Sequence, residues 1–217
     1  GRASFTAGAL LYGTARRTFE DLHESLEGIG ADLDFDASTH SCLFSGKSLA
    51  EDLPTLLDIL QDALRQPVFP AEHVERLRGQ IITGLQIRQH DTRYRAAHAF
   101  RELAYPPAHP YHYSLDGTLE TVPGLSRDLL ADFHRTVYGP RGLIVVVVGA
   151  VEADWAIEAV EAALGDWQNP DQPPVPDLPP LPEPTEIRRA DVTVPGKTQS
   201  DIVLGLPGPS RADPDFH

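Results

Sequence analysis

The sequence predicts an α+β protein in which helices pack on one face of a mixed, mainly antiparallel sheet. Three observations lead to this prediction: several apolar patterns with helical spacing, two alternating stretches placed as a hairpin, and one uncharged run rich in β-branched residues. Of the 217 residues, 41% are hydrophobic, which is enough for a substantial core. A chain of this length forms one large domain or two small ones.

The first part of the chain predicts two helices, a hairpin and a third helix. Residues 1–14 form the first helix, and Thr18 is placed to cap the second, because apolar residues recur at helical spacing after it. Residues 31–37 and 41–47 alternate in polarity, which predicts two antiparallel strands. Ser48 then begins another helix whose leucines share one face.

Further along, residues 71 to about 105 are predicted to be mostly helical, bent near residues 90–92. Ser126 caps the next helix, residues 143–148 form a strand covered on both faces, and residues 152–167 form the last helix. The residues predicted to face inward on these two helices are Leu129, Leu130, Phe133 and Val137, then Trp155, Ile157, Val160, Ala163 and Leu164.

A proline-rich segment predicts a domain boundary. Residues 169–184 hold eight prolines in sixteen positions, which is typical of an extended, semi-rigid linker. We therefore expect a domain over residues 1–168, lacking its first strands, then a linker over 169–184. Residues 185–217 would begin a second, truncated domain, with strands at 187–194 and 200–206.

Charge and composition exclude several classes of function. Acidic residues number 32 against 18 basic ones, so the net charge of -14 argues against binding duplex nucleic acid or anionic membranes. No apolar run reaches the roughly 20 residues that a membrane-spanning helix needs. The single cysteine, Cys42, fits the cytosol without excluding the periplasm. The absence of methionine, even at position 1, indicates an internal fragment, so export stays undecided.

Isolated candidate sites are better explained by structure. His109 and His112 suggest a metal site, but the intervening proline disfavours a shared helical face and no third ligand is nearby. Cys42 resembles a small buried hydrophobe rather than a nucleophile. Gly149 is too solitary for a phosphate loop, and the three aspartates of residues 31–37 lack the glycine and glutamate of a calcium loop.

Two blocks of sequence resemble the pitrilysin/insulinase family of zinc peptidases. The opening GRASFTAGALLYGT resembles the family's active-site helix, GLAHFLEHMLFKGT, which carries an inverted His-x-x-Glu-His motif. The second block, residues 109–151, resembles the family pattern of HPY, G-x-x-E-x-V, a helix ending in tyrosine and a strand closing on Val-Gly. The resemblance implies a ferredoxin-type metallopeptidase domain followed by the start of a homologous one.

The resemblance also implies that the zinc site has been lost. Ser4, Ala7 and Gly8 stand where the family has its first histidine, glutamate and second histidine, and the further glutamate ligand aligns near Gly84. Two histidines one helical turn apart can hold one zinc ion, which generates hydroxide near neutral pH. The four degenerate residues supply neither ligand nor base. We therefore predict no catalytic residue, no metal ligand and no cofactor in this chain, and substrate-binding residues stay unassigned.

The function implied is that of a non-catalytic domain or subunit of such a zinc metallopeptidase. It would form part of a peptide-binding chamber and assist proteolysis by a zinc-bearing homologous domain or subunit, as part of a homo- or heterodimer. The expected substrate is a peptide or unfolded protein, and the chain alone is expected to be inactive. The alternatives are a purely structural assembly subunit with the same fold and an unrelated α/β binding domain. A bacterial source is expected, with cytoplasm and periplasm both open.

Overall fold

The structure, a computed structural model, describes residues 1–181, 183–210 and 214. The helices assigned within these residues are α1 (Arg2–Gly8), α2 (Phe19–Gly28), α3 (Leu53–Arg65), α4 (Ala71–Arg88), α5 (Thr92–Ala104), α6 (Arg127–Val137) and α7 (Ala153–Leu164). The strands are β1 (Asp32–Ala37) and β2 (Cys42–Lys47). Helices together with an antiparallel sheet confirm the predicted fold class.

The chain forms two compact units. The first comprises residues 1–82 and 115–176, and the second comprises residues 83–114 and 177–217. The division therefore falls within α4. The domain limits expected at residues 168 and 184 stay a prediction.

Helix α2 begins as the sequence predicts, with a reciprocal cap. The Thr18 hydroxyl accepts a hydrogen bond from the Asp21 backbone N–H at 3.1 Å, and the Asp21 carboxylate accepts one from the Thr18 N–H at 3.0 Å. Two of the N–H groups that lack an acceptor within the helix at its start are thereby satisfied. At its other end the chain reverses through Gly30, whose φ of 61° favours glycine.

The predicted hairpin is confirmed. Strands β1 and β2 pair antiparallel with Phe35 opposite Phe44, and the Ser38 N–H donates to the Ser41 carbonyl at 2.7 Å in the turn. The side chains of Leu33 and Ala37 are buried on the inner face. The three aspartates of β1 lie exposed on the opposite face. This alternation holds the strand register, because a slip of one residue would bury the carboxylates.

The core of the first unit is built around α3. Buried side chains of α1, α2, β1, α6 and α7 join those of α3 in one cluster. The largest fully buried members of this cluster are Phe5, Leu10, Leu22, Ile59, Phe69, Val74 and Leu130. Helix α3 also contacts α7 directly. The first-unit elements are thus held together by burial of apolar surface.

The predicted break near residues 90–92 is also confirmed. Helix α4 ends at Arg88 and α5 begins at Thr92, where the Asp91 carboxylate accepts a hydrogen bond from the Tyr94 N–H at 2.8 Å. Ser126 caps α6 in the same way by accepting from the Leu129 N–H at 3.2 Å. A polar side chain able to accept from the first turn therefore marks both helix starts.

Three strand predictions are wrong for the described residues. Residues 143–148, 187–194 and 200–206 are not assigned to any strand. Rather than being covered on both faces, residues 143–148 expose Ile144, Val146 and Val148 by 79%, 77% and 91%. A strand requires a hydrogen-bonded neighbour, and no other described segment pairs with these stretches.

Some helix details also differ from expectation. The hydroxyl of Ser48 donates to the Leu49 carbonyl instead of capping a helix, and α3 begins only at Leu53 after a short 3-10 turn. On α7, Trp155 and Ile157 are 40% and 56% exposed, because the helix turns Ala156 and Leu164 toward the core. Leu129 on α6 is likewise 39% exposed.

Among the residues that the structure describes, no helix combines the length and the hydropathy that crossing a bilayer would require.

Candidate functional site

Helix α1 carries the degenerate motif and is fixed in the first unit. Phe5, Thr6 and Ala7 form its buried side. The guanidinium carbon of Arg78 lies 5.4 Å from the centre of the Phe5 ring, and Nη1 of Arg78 donates to the Val122 carbonyl at 2.9 Å. Helix α1 also packs against β1. The position of the motif helix is therefore set by packing, cation–π attraction and a hydrogen bond.

The three motif positions on α1 offer no ligand set. The Ser4 hydroxyl donates to the Leu115 carbonyl at 2.9 Å and so ties α1 to a distant loop. Ala7 is only 2% exposed, so its methyl group is part of the core. Gly8 is exposed, and a Cβ there would meet the Leu77 side chain at 3.5 Å, an ordinary contact. None of the three side chains has a nitrogen, sulfur or carboxylate donor for zinc.

The fourth degenerate position also lacks a donor. Gly84 lies within α4, and a Cβ added there would have no neighbouring heavy atom within 4 Å. Within the described part of the chain, histidine, cysteine and carboxylate side chains form no group of three or more that could hold a metal ion. The residues at these four positions therefore do not fit the zinc site that the intact family motif would form.

His109 and His112 serve local backbone structure in the second unit. Nδ1 of the buried His109 accepts a hydrogen bond from the Tyr111 N–H at 3.1 Å. Nδ1 of His112 lies 2.7 Å from the Tyr105 carbonyl oxygen, which only a protonated nitrogen can approach as a donor. Each imidazole thus has one nitrogen engaged by backbone, in accordance with the structural role that the sequence favours.

Cys42 is exposed on β2, so the expectation of a small buried hydrophobe is wrong. Neighbouring atoms nevertheless desolvate its sulfur in part, which raises the pKa of the thiol, and the Tyr138 hydroxyl opposes this effect only in part. Burial likewise raises the pKa of Tyr138, so both groups stay protonated near neutral pH. The thiolate that nucleophilic attack requires is therefore scarce.

A buried charge network near α3 was not anticipated from the sequence. The Asp62 side chain, 1% exposed, accepts hydrogen bonds from Thr14 and Arg17 at 2.7 Å each. Asp58, one turn earlier, pairs with Arg16 and Arg17. Burial alone would raise the pKa of Asp58, but hydrogen bonds from the two arginines outweigh it and hold the pKa below its usual range. The signal available in the sequence was an acid at position 62 on the apolar face of α3.

His134 is a second buried polar residue that sequence analysis overlooked. Its Nε2 lies 2.8 Å from the Leu64 carbonyl oxygen, and its ring stacks on Tyr138 with centres 4.8 Å apart. Burial lowers the pKa of His134, although the hydrogen bond to Leu64 opposes that shift. The imidazole is therefore neutral near pH 7 and joins α6 to the end of α3.

Comparison with family models covers nearly the whole chain. Residues 1–108 match the model described as insulinase, peptidase family M16, and residues 124–217 match the model of the peptidase M16 inactive domain. Only residues 109–123 lie outside both matches.

Curated relatives include bacterial zinc proteases and a mitochondrial enzyme subunit. An uncharacterized zinc protease of Streptomyces coelicolor is 25% identical over 98% of this chain and 47% of its own length. One of Bacillus subtilis is 30% identical over 72% of this chain and 35% of its own length. The human mitochondrial-processing peptidase subunit beta is 27% identical over 76% of this chain and 34% of its own length. The chain thus spans about half, or less, of the length of these relatives.

Solved structures show the same fold. The peptidase M16 inactive domain from Pseudomonas fluorescens aligns with a TM-score of 0.70 and 23% identity, covering 85% of this chain and 44% of that one. Pitrilysin aligns with a TM-score of 0.66 and 22% identity, covering 86% of this chain and 20% of the pitrilysin chain. Taken with the sequence matches, these similarities show that the chain belongs to the insulinase family of peptidases, family M16, and that its second part is of the inactive type.

Proposed function

We propose that this chain is a non-catalytic part of a pitrilysin-like zinc metallopeptidase. It would help to form a peptide-binding chamber and assist cleavage by a zinc-bearing homologous domain or subunit. The observation that carries the proposal is the composition of α1, where the motif positions hold Ser4, Ala7 and Gly8 within a segment that matches the family model. An element that keeps its packing while lacking the donors of the chemistry can act through shape and orientation.

The hairpin beside α1 offers a means of holding peptide. Strands β1 and β2 form a two-stranded sheet, so within the described residues each strand has one edge without a strand neighbour. An extended peptide can add to such an edge through backbone hydrogen bonds, whatever its sequence. The exposed carboxylates of Asp32, Asp34 and Asp36 would favour peptides that carry positive charge.

A first experiment tests whether cleavage requires a zinc-bearing partner. The purified chain alone should retain no stoichiometric zinc after dialysis and should not cleave an unfolded reporter peptide. Adding the homologous subunit with an intact His-x-x-Glu-His motif should restore cleavage. One tightly bound zinc per chain, measured by elemental analysis, would contradict the proposal.

A second experiment tests peptide binding and separates the structural alternative. A fluorescent basic peptide should bind the assembled protein, and Asp34→Lys should weaken binding about fivefold at low salt, corresponding to about 1 kcal/mol. Glu158→Lys, the same charge change on the exposed side of α7, should leave binding unchanged. If the assembled protein binds no peptide at all, the chain is a purely structural assembly subunit.

A further inference from the structure

The proline-rich segment begins with a short turn over residues 169–172. The Gln172 N–H donates to the Asn169 carbonyl at 3.2 Å, which closes the turn. The Asp171 N–H donates to Oδ1 of Asn169 at 3.1 Å. Pro170 suits the second position of such a turn, because its ring already fixes φ near the value required. The turn is therefore closed by its own backbone and by one of its side chains.

The two end residues of the turn hold the chain at the end of α6. Nδ2 of Asn169 donates to the carbonyls of Arg135 and Tyr138, which lie where helical carbonyls lack a partner within the helix. The Gln172 amide pairs with the Arg141 backbone in both directions. Its Oε1 accepts from the Arg141 N–H at 2.9 Å, and its Nε2 donates to the Arg141 carbonyl at 3.2 Å. These four hydrogen bonds are thus made by two side-chain amides.

Contacts of this kind can open without unfolding the core. Three of the four bonds are exposed and one is half-buried, and the core cluster of the described residues includes no side chain from the turn. Segments with exposed hydrogen bonds and few buried apolar contacts open at a lower free energy than the whole fold. Beyond the turn, residues 173–180 are exposed, and within the described part of the chain no backbone hydrogen bond reaches them.

Gly139, in the chain that follows α6, leaves the room that the Gln172 amide occupies. A Cβ built at Gly139 would meet Cδ of Gln172 at 2.7 Å, would come closer still to its Oε1, and would meet Cβ of Asn169 at 3.0 Å. A methyl group at this position would therefore displace the Gln172 amide. The closed turn depends on a residue without a side chain at the point of close approach.

We propose that residues 169–172 are a latch with a closed and an open state, and that the latch sets how much of the proline-rich segment is free. When the latch is closed, the free chain begins at Pro173. When Asn169 and Gln172 release the backbone at the end of α6, four more residues join the free chain and lengthen it by about 12 Å. The reach of the linker then changes while the core of the first unit stays folded.

Digestion of the 217-residue chain with a protease that cleaves before aspartate tests the latch. Asp171 and Asp177 each follow a proline, so the two cleavage sites are matched, but only Asp171 lies in the turn. The natural chain should be cut rapidly before Asp177. The cut before Asp171 should be slower by about tenfold or more, because it requires the latch to open first.

Two substitutions on opposite sides of the contact should open the latch. Gln172→Ala removes the amide and Gly139→Ala displaces it, so each should speed the cut before Asp171 about tenfold. The cut before Asp177 should not change. The double variant should be no faster than the single ones, since both substitutions remove the same contact. Gln168→Ala, at an exposed glutamine before the turn, should behave as the natural chain does.

Native-state hydrogen exchange separates a latch from a fixed part of the fold. The Arg141 N–H is bonded by Gln172, so its exchange reports the opening directly. Low concentrations of urea should leave that exchange rate unchanged, because the opening exposes little surface. The amide of Leu60, in the buried part of α3, should exchange faster as urea rises, because it requires unfolding of the core.

Three results would overturn the proposal. The first is the same urea dependence for the Arg141 and Leu60 amides, because the turn would then open only when the whole unit unfolds. The second is a natural chain that is cut before Asp171 as rapidly as before Asp177. The third is an unchanged cut before Asp171 in both Gln172→Ala and Gly139→Ala. Circular dichroism of each variant establishes that faster cleavage is not a loss of folding.

Discussion

Ala7 lies in the core at the position where the family motif carries its glutamate. Its 2% exposure leaves no access to water, and the surrounding residues of α1, Phe5 and Thr6, are buried as well. Restoring the motif residue there would bury a carboxylate among apolar groups. The loss of the motif on this helix is therefore accompanied by a packing arrangement that no longer accommodates it.

We expect Ala7→Glu to lower the free energy of unfolding by about 3 kcal/mol or more, because the new charge is buried without a partner. Gly8→Glu introduces the same side chain one residue later, where the backbone is exposed and a Cβ has room. That control should change stability by no more than about 0.5 kcal/mol. Urea unfolding measures both, and equal losses would show that Ala7 is not buried as described.

His134 makes stability depend on pH in a defined direction. Its pKa in the folded chain lies below the ordinary 6.5, because burial disfavours the charged imidazole. The unfolded state therefore binds more protons, so stability is complete above about pH 6.5 and falls as the pH drops below it.

The matched variant is His134→Gln, which removes the titrating group. Between pH 7.5 and 5.5 the natural chain should lose up to about 1.4 kcal/mol more stability than the variant, since the lower limit lies one unit below 6.5. Thermal or urea unfolding at the two pH values measures the difference. An equal pH dependence in both proteins would contradict the assignment of a neutral, buried His134.

At the scale of single elements, two serine or threonine residues that precede helical patterns behave differently. Thr18 completes a reciprocal cap with Asp21, whereas the Ser48 hydroxyl donates to the adjacent Leu49 carbonyl and caps nothing. The sequence predicted both as helix starts. Only the backbone conformation of the following turn decides whether a hydroxyl reaches a free N–H group.

Thr18→Ala should therefore cost about 1 kcal/mol of stability, since one N–H of the first turn of α2 loses its partner. Ser48→Ala should stay within about 0.5 kcal/mol of the natural chain. Chemical denaturation of the two variants side by side measures the contrast. A comparable loss from Ser48→Ala would mean that its hydroxyl supports the start of α3.

The helices and the hairpin could be predicted because their signals are local. Thr18, Asp21 and Ser126 lie within three residues of the groups they bond, and β1 and β2 are joined by a short turn. Residues 143–148 show the opposite case. Their apolar composition indicates a strand, but a strand also needs a hydrogen-bonded partner strand, and local composition does not identify that partner.

At the scale of the whole molecule, the start of the proline-rich segment is fixed rather than free. Asn169 donates from Nδ2 to the carbonyls of Arg135 and Tyr138 at 2.8 and 2.7 Å. Gln172 in turn bonds the backbone of Arg141 from both ends of its amide. These hydrogen bonds join the start of the proline-rich segment to the last turn of α6 and to the residues that follow that helix.

Asn169→Ala should lower stability by about 2 kcal/mol, because two backbone carbonyls lose their donor. Asp171→Ala changes an exposed side chain two residues later and should have little effect, since only its backbone N–H bonds Asn169. Urea unfolding followed by tryptophan fluorescence measures both, since Trp167 lies two residues before Asn169. Equal stability of the two variants would show that the hydrogen bonds donated by Asn169 do not stabilise the folded chain.

The sequence by itself determined the family resemblance, the degenerate positions Ser4, Ala7, Gly8 and Gly84, and most helix starts, because motif identity and capping depend on neighbours in the chain. Tertiary structure alone decided that Ser4 bonds the Leu115 carbonyl, that Ala7 belongs to the core and that Asp62 is buried with Arg17. These contacts join residues 45 to 111 positions apart. Burial and long-range pairing arise from how distant segments fill one core, and no local pattern encodes which segments will meet.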